Sequence, residues 1–436
     1  MAYCAYITRI KNIRKHSNAD RLQCGVCFGN NVIVGMNMTE DELGIYFPVD
    51  GRLGIEYCVE NNLLRKKDEN GNSIGGFLEE GKQKLQALKL RGEMSDGLFM
   101  PLKSLDKFTD IATLTEGDQI AILDGVVICE KYIPRGNPRR SHQSGCAKTT
   151  KTEKTKYPLF AEHSNTLQLA YNENAFRKGD QCEITLKMHG TSQRTSYTIK
   201  ETHSFLPSWL YAIFRFFRLI RKTEIDWEYI SGTRRVVLKN MDGGWYGDNS
   251  FRQQHHDKFV GKLQKGETVY YEVVGYLREN SPIMSDCSNK KTNDMGFIRR
   301  YGETTRFSYG CEDGKSEAYV YRMTMTNEDG YVVEYPYDLV KTRCEQMGVK
   351  YCPEFDKFTF TTFDDLVERV NKYGEGLDPV GQTHIREGVV VRIANKERFT
   401  AFKHKNWHFK VLEGIIKDAA DAPDIEESQE VEDDAT

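Results

Sequence analysis

The chain has almost no net charge, no long apolar run and no ordered set of cysteines. Its 61 Lys and Arg against 64 Asp and Glu leave a formal charge of −3, so any nucleic-acid contact must come from local patches rather than an overall positive field. No stretch reaches the uninterrupted apolar length that a membrane span needs, and the N-terminus lacks the apolar core of a signal peptide. These absences lead us to expect a cytoplasmic protein that is not inserted in a membrane. Eleven cysteines, an odd number without framework spacing, argue for a reducing compartment. Cys24-Gly25-Val26-Cys27 has the look of a zinc-binding CxxC. No second pair follows at zinc spacing, so two buried strand cysteines are the better reading. No repeat period is apparent.

What is present suggests two or three domains in 436 residues, each able to bury a core. Residues 1–130 alternate short apolar runs with turn signals, as in Val32-Ile33-Val34-Gly35 and Ile45-Tyr46-Phe47-Pro48-Val49-Asp50-Gly51, the pattern of a small antiparallel barrel. Residues 131–158 carry Arg135, Arg139, Arg140, Lys148, Lys151, Lys154 and Lys156 amid small polar residues, and read as a basic linker. Residues 159–417 mix helix and strand signals. Phe251 to Lys265 reads as a helix capped by Ser250 and ended by Gly266, leading into a strand over Thr268–Gly275. A second helix opens at Thr362-x-x-Asp365, runs through Leu366, Val367 and Val370, and closes at Gly374. Phe205 to Ile220 is aromatic but interrupted by Arg215 and Arg218, so it reads as an amphipathic helix docked on the fold, with membrane-surface attachment the alternative. The acidic residues 418–436 read as disordered.

The chemistry centres on Leu186-Lys187-Met188-His189-Gly190, which follows the alternating strand Gln181-Cys182-Glu183-Ile184-Thr185. A lysine amine attacks only when neutral, so a nucleophilic Lys187 needs an apolar pocket or cationic neighbours. Gly190 would let a nucleotide approach the backbone closely. If Lys187 attacks the α-phosphate of a nucleoside triphosphate, three demands follow. Carboxylates must hold a divalent metal against the charge of the phosphates. Cations must contact the α-phosphate as charge shifts, and base and ribose must be clamped. Glu272 in Tyr271-Glu272-Val273-Val274-Gly275 is a carboxylate stranded among apolar residues, costly unless it binds something. Glu387 heads the strand Gly388-Val389-Val390-Val391-Arg392-Ile393. Lys403 and Lys405 in Phe402-Lys403-His404-Lys405 share one face by period two, where they repel each other unless an anion sits between them. His255 and His256 are adjacent on a helix and point apart, so we expect surface histidines rather than a metal pair.

Taken in order, these stretches, with the aromatic strand Tyr319-Val320-Tyr321-Arg322, resemble motifs I, III, IIIa, IV and V of the covalent nucleotidyltransferases, the ATP-dependent ligases and RNA-capping guanylyltransferases. The resemblance covers about 160–410. It implies an α+β chain: an N-terminal OB-like β-barrel, then a nucleotidyltransferase (ATP-grasp-like ligase) domain of antiparallel sheets with flanking helices. It implies Lys187 as the adenylated lysine, Glu272 as the carboxylate linked to ribose or metal, and Glu387 as the metal-associated glutamate. Lys403 and Lys405 match the α-phosphate lysines. Tyr321 is the choice for the ring stacked on adenine, with Tyr319 the alternate. Ser231-Gly232-Thr233-Arg234-Arg235-Val236 fits the arginine that reads ribose or the RNA end, Arg234 preferred over Arg235.

His189 in Lys-x-His-Gly resembles RNA ligases of the RNA ligase 2 type, and too little chain follows Lys405 for a C-terminal OB or helical domain. An accessory module preceding the catalytic one is similar to the Naegleria-type RNA ligases. Lys15-His16-Ser17-Asn18-Ala19-Asp20-Arg21-Leu22 and Leu88-Lys89-Leu90-Arg91-Gly92-Glu93-Met94-Ser95-Asp96-Gly97-Leu98 resemble tRNA-binding OB modules, with Lys15, Arg21, Lys89 and Arg91 as phosphate partners. His163-Ser164-Asn165-Thr166-Leu167-Gln168 is similar to the adenine-contacting lead-in of RNA ligases. The resemblance therefore implies a monomeric, ATP-dependent RNA ligase using Mg²⁺ or Mn²⁺ to join RNA 3′-hydroxyl and 5′-phosphate ends in repair. A GTP-dependent capping-type guanylyltransferase and a non-catalytic RNA-binding protein are the alternatives.

Overall fold

The computed structural model describes residues 3–67, 73–79, 81–132, 156–164, 166–202, 224–234, 236–238 and 250–418. Most of the basic linker, the aromatic stretch 205–220, Arg235 and the acidic residues from 419 onward lie outside the described residues. The chain is α+β, dominated by antiparallel sheets with few helices. It forms two units, each discontinuous in sequence. One lies within Met1–Arg135, Cys287–Thr304 and Asn406–Ala422, the other chiefly within Gly136–Asp286 and Thr305–Lys405.

In the first unit, strands Gly97–Pro101, Leu43–Pro48, Ala5–Arg9 and Gln119–Ile120 form a four-stranded sheet, and Lys11–Lys15, Leu22–Cys27 and Asn30–Gly35 a three-stranded one. Among the described residues these sheets stay separate, and their hydrogen bonding does not close into a ring. Ile7, Ile45, Phe47, Tyr57 and Leu105 fill the core beneath them. Cys24 and Cys27 are both buried in one strand. The helix Trp407–Asp418, late in the sequence, belongs here. Lys84 donates to the Gly414 carbonyl at 2.9 Å, and the Lys410 ammonium pairs with Asp96. The helix Met295–Tyr301 starts where Asp294 accepts the Phe297 N–H at 3.0 Å, and Gly302, at φ 84°, ends it.

Elements of the second unit are numbered in chain order. Its first strands are β1 (Leu167–Gln168), β2 (Gln181–Lys187), β3 (Thr191–Thr202), β4 (Glu224–Gly232) and β5 (Val237–Leu238). After helix α1 (Ser250–Asp257) come β6 (Glu267–Arg278), β7 (Ser316–Thr326) and β8 (Val332–Glu334). Helix α2 (Tyr337–Met347), β9 (Glu354–Thr359), α3 (Phe363–Gly374), β10 (Gly388–Ile393) and β11 (Ala401–Lys405) follow, and the unit also holds the short strands Ser281–Pro282 and Lys350–Tyr351. One sheet runs β1-β11-β10-β2-β9, and the other contains β5-β4-β3-β6-β7-β8.

Period two gives each sheet an apolar and a polar face. In the first sheet Cys182, Ile184, Val389, Val391 and Phe402 pack on Leu366 and Val370 of α3, leaving Glu183, Lys187, Arg392, Lys403 and Lys405 for the opposite face. In the second, Val269, Tyr271, Val273, Val320 and Met323 pack with Phe251 and Val340, leaving Ser192, Arg194, Tyr270, Glu272 and Arg322 for the other. Thr362 caps α3, accepting the Asp365 N–H at 3.3 Å.

Two expectations change here. Helix α1 ends at Asp257 rather than continuing to Lys265; the chain goes on in turns, with Gly261 at φ 78°, while Phe259 and Leu263 still reach the core. His255 and His256 are not surface residues. Both are buried, His255 against the Ser316 hydroxyl at 2.9 Å and His256 near that of Thr195 at 3.4 Å. Burial lowers the pKa of both, that of His255 to about 4.

Candidate active site

Strand register assembles the first half of the site. Lys187 of β2 pairs with Gly388 of β10, which pairs with Lys405 of β11, so the ends of three adjacent strands form one row. Glu387 enters that row just before Gly388. The chain passes there only because residue 388 is glycine: its φ is 152°, and a Cβ would lie 2.1 Å from the His404 carbonyl oxygen. Glu387 is 2% exposed, with Oε1 2.6 Å from Lys187 Nζ and 3.7 Å from Lys405 Nζ. Its Oε2 lies 3.8 Å from His189 Nδ1. Lys187, at 22% exposed, remains reachable from solvent. Lys403, paired with Val390, falls on the same face as Lys405. One buried carboxylate thus faces two lysines, on a sheet face that also carries Lys403.

Gly190 also has a reason within the fold. A Cβ there would lie 2.4 Å from the Val273 carbonyl oxygen and 3.0 Å from Glu272 Cγ. The glycine lets the start of β3 pass against β6.

The second half lies on the polar face of the other sheet. Glu272 pairs with Ser192 on one side and with Tyr319 on the other. Between Tyr270 and Tyr271 the register to β7 slips, so Tyr270 faces Arg322 and Tyr271 faces Val320. Tyr321 is the extra residue of this bulge, a device that re-aims a side chain. Its hydroxyl lies 3.0 Å from Ser192 Oγ, so it points to the Glu272 side, and the ring is only half-buried while Tyr319 is buried. His163 meets the Tyr321 ring edge-on at 5.2 Å and also touches Tyr270 and Phe399. Burial first, then the charge of Arg322, holds His163 well below its usual pKa. The neutral ring receives a hydrogen bond from Arg322 at 3.1 Å through Nδ1. Arg234 comes to the same corner, its carbonyl accepting the His163 N–H at 3.3 Å.

A divalent cation fits the donor set at Glu387. Oε2 is a buried carboxylate oxygen with no hydrogen-bond partner among the described residues, and hard cations take such oxygens. Among the described residues no group of three metal-ligating side chains is gathered, so water or substrate oxygens would complete the coordination, as Mg²⁺ commonly requires.

Among solved structures, the chain is similar to Naegleria gruberi RNA ligase. A lysine-to-alanine mutant with ATP and Mn aligns with TM-score 0.56 and 15% identity over 96% of this chain and 98% of that one. A lysine-to-methionine mutant with AMP and Mn aligns with 0.56 and 15% over 96% and 99%. The enzyme with PPi aligns with 0.55 and 16% over 92% and 96%. The chain shares its fold with an RNA ligase. No family model matches the chain, and no curated protein matches it by sequence. No described helix is long and apolar enough to cross a membrane.

Within this ligase-like fold the candidate RNA contacts lie in the first unit. Lys15, Arg21 and Arg91 are exposed, whereas Lys89 is half-buried with its ammonium 2.5 Å from Asp294 Oδ2. Sequence reasoning did not single out a buried tie between the two polar faces, in which Glu334 pairs with Arg322 of β7 and lies 3.9 Å from Arg392 of β10. The signal that marked Glu272, an acid in a strand beside apolar residues, was present in Val332-Val333-Glu334-Tyr335 as well. Arg252 of α1 was also missed. It donates to the Ser192 carbonyl at 3.0 Å and the Thr191 hydroxyl at 2.6 Å, fixing the start of β3 behind the site.

Proposed function

We propose that the protein is an ATP-dependent RNA ligase that joins a 3′-hydroxyl to a 5′-phosphate, in the service of RNA repair. The observation that carries this reading is the row Lys187-Glu387-Lys405, with one buried carboxylate 2.6 Å from one lysine and 3.7 Å from the other. Lys187 Nζ leaves the ion pair, loses a proton and attacks the α-phosphorus of ATP. The N–P bond forms as the bond to the β-phosphate oxygen breaks and pyrophosphate departs. An oxygen of the RNA 5′-phosphate then attacks the same phosphorus and displaces Lys187. Finally the RNA 3′-hydroxyl attacks the activated 5′-phosphate and expels AMP. Such transfers depend on in-line positioning and charge stabilisation. Lys403 and Lys405 hold the α-phosphate, Tyr321 stacks on adenine, and Arg234 and Glu272 hold the ribose. Mg²⁺ or Mn²⁺ held by Glu387 and Glu272 would offset the charge of the triphosphate.

For the first unit we propose an OB-like module whose Lys15, Arg21 and Arg91 contact RNA phosphates, with Lys89 contributing once released from Asp294. The test is incubation of the chain with α-labelled ATP or GTP and either metal, followed by sealing assays on RNA ends. Lysyl-AMP is expected from ATP, and Lys187→Ala should form none while still unfolding cooperatively as a folded protein. Labelling by GTP alone would mark a capping-type guanylyltransferase, and no adduct with any triphosphate would mark a non-catalytic RNA-binding protein.

A further inference from the structure

We propose that Tyr309 is a positioning residue for the attack by Lys187, its hydroxyl holding the turn after Lys187 in place relative to Glu387. The inference rests on the ligase reading above. Tyr309 is buried, and its oxygen accepts the His189 backbone N–H at 2.6 Å. That amide belongs to the turn between Lys187 and Gly190. Tyr309 also adopts φ 50°, a left-handed conformation that bulky residues avoid unless their surroundings over-determine it.

The surroundings are a second loop, the one that delivers Glu387. Fully buried Asp378 accepts the Val380 and Gly381 N–H groups at 3.0 and 2.7 Å through Oδ1, and that of Thr383 at 2.9 Å through Oδ2. This folds the loop so tightly that a Cβ on Gly381 would lie 2.3 Å from the Gly310 nitrogen. His384 then sets its ring edge-on to Tyr309, centroids 4.3 Å apart at 83°, and edge-on to Phe307 at 5.2 Å. Phe307 in turn meets the His189 ring at 4.7 Å. Three residues after His384 the chain reaches Glu387. Tyr309 therefore touches both the turn that follows the nucleophile and the loop that leads to its carboxylate partner. Displacing it changes the approach of Lys187 to Glu387 without altering either residue, and near-attack geometry tolerates little displacement.

The test uses the full chain carrying Tyr309→Phe, which keeps the ring and deletes the oxygen. Two rates are measured at saturating substrate: lysyl-AMP formation from labelled ATP, and sealing of RNA already carrying a 5′-adenylate, a step that bypasses the attack by Lys187. Lysyl-AMP formation is expected to slow by roughly tenfold or more, the effect of one unsatisfied buried amide on a positioned nucleophile. Sealing of the pre-adenylated RNA is expected to stay within about twofold of the unmodified chain, because only the first transfer has lost its alignment. Equal first-step rates in both proteins, or equal losses in both assays, would overturn the role. If Tyr309→Phe does not fold, His384→Gln, which removes the ring seating Tyr309, must show the same selective loss, and an even loss there overturns the role as well. An unmodified chain that forms no lysyl-AMP overturns the ligase reading itself, and this role with it.

Discussion

Replacing Glu334 by Gln removes the carboxylate that holds two buried guanidinium groups from different sheets. The Arg322–Glu334 pair has side chains 4% and 6% exposed, and Arg392, 3.9 Å from the same carboxylate, is 8% exposed. Burial works against the charge on Arg322, but the hydrogen bonding and charge of Glu334, together with Tyr270 and Tyr321 nearby, outweigh it and raise the pKa. For Arg392 burial prevails and lowers it. Glutamine keeps the shape and one acceptor oxygen but turns an NH₂ donor toward guanidinium donors. Breaking a buried pair from one side costs about 3–5 kcal/mol. For a unit of this size each kcal/mol moves Tm by about 2–4 °C, so Glu334→Gln should lower Tm by roughly 10 °C. Thermal unfolding followed by circular dichroism reads this directly. Adding Arg392→Met should restore part of the loss, since one of the buried positive charges is gone. A Glu334→Gln variant melting within about 2 °C of the unmodified chain would refute the reasoning, because Glu183, which also acts on Arg392, and other groups would then suffice as counter-charges.

Acid should destabilise the second unit before its carboxylates titrate. His255 has a folded-state pKa lowered from 6.5 to about 4, by burial first and then by the charge of Lys258. Its unfolded form therefore binds the proton first, and stability is lost as pH falls through that window, about 2 kcal/mol of it by pH 5. Urea midpoints at pH 7 and pH 5 measure the loss, and His255→Gln should flatten the difference. An unchanged slope in that variant would show that another group dominates. In the first unit, Lys410→Ala leaves the buried Asp96 carboxylate without its ammonium partner. It should lower the unfolding free energy by about 3 kcal/mol, seen as a shifted urea midpoint. No shift would mean that Asp96 is already neutral when folded.

Strand-borne features of the site were the ones accessible to sequence reasoning, because period two is local. The alternation in Phe402-Lys403-His404-Lys405 sets which side chains share a face, and the cap Thr362-x-x-Asp365 needs only neighbouring residues. Features created by a second segment were not accessible. Period two cannot separate Tyr319 from Tyr321, because the bulge that re-aims Tyr321 is a mismatch with β6, more than forty residues earlier in the chain. The requirement for Gly190 comes from the Val273 carbonyl, and the burial of His255 and His256 from strands on either side of α1. Tyr309 carries no local mark at all. The loop packed against it lies some seventy residues further on, and the amide N–H that its hydroxyl accepts belongs to His189, far earlier in the chain.

The discontinuity of the two units bears on how the molecule can be taken apart. The strand bearing Lys403 and Lys405 ends where the first unit resumes, at Asn406, and the helix that follows is tied down by Lys410 to Asp96 and by Lys84 to Gly414. A fragment ending near residue 132 would keep Asp96 and Lys84 but lose the helix that answers them. A fragment starting near residue 156 would keep the helix, and with it Cys287–Thr304, without the sheet they fold against. Neither piece alone carries both sides of these contacts, because the first unit draws on stretches from both.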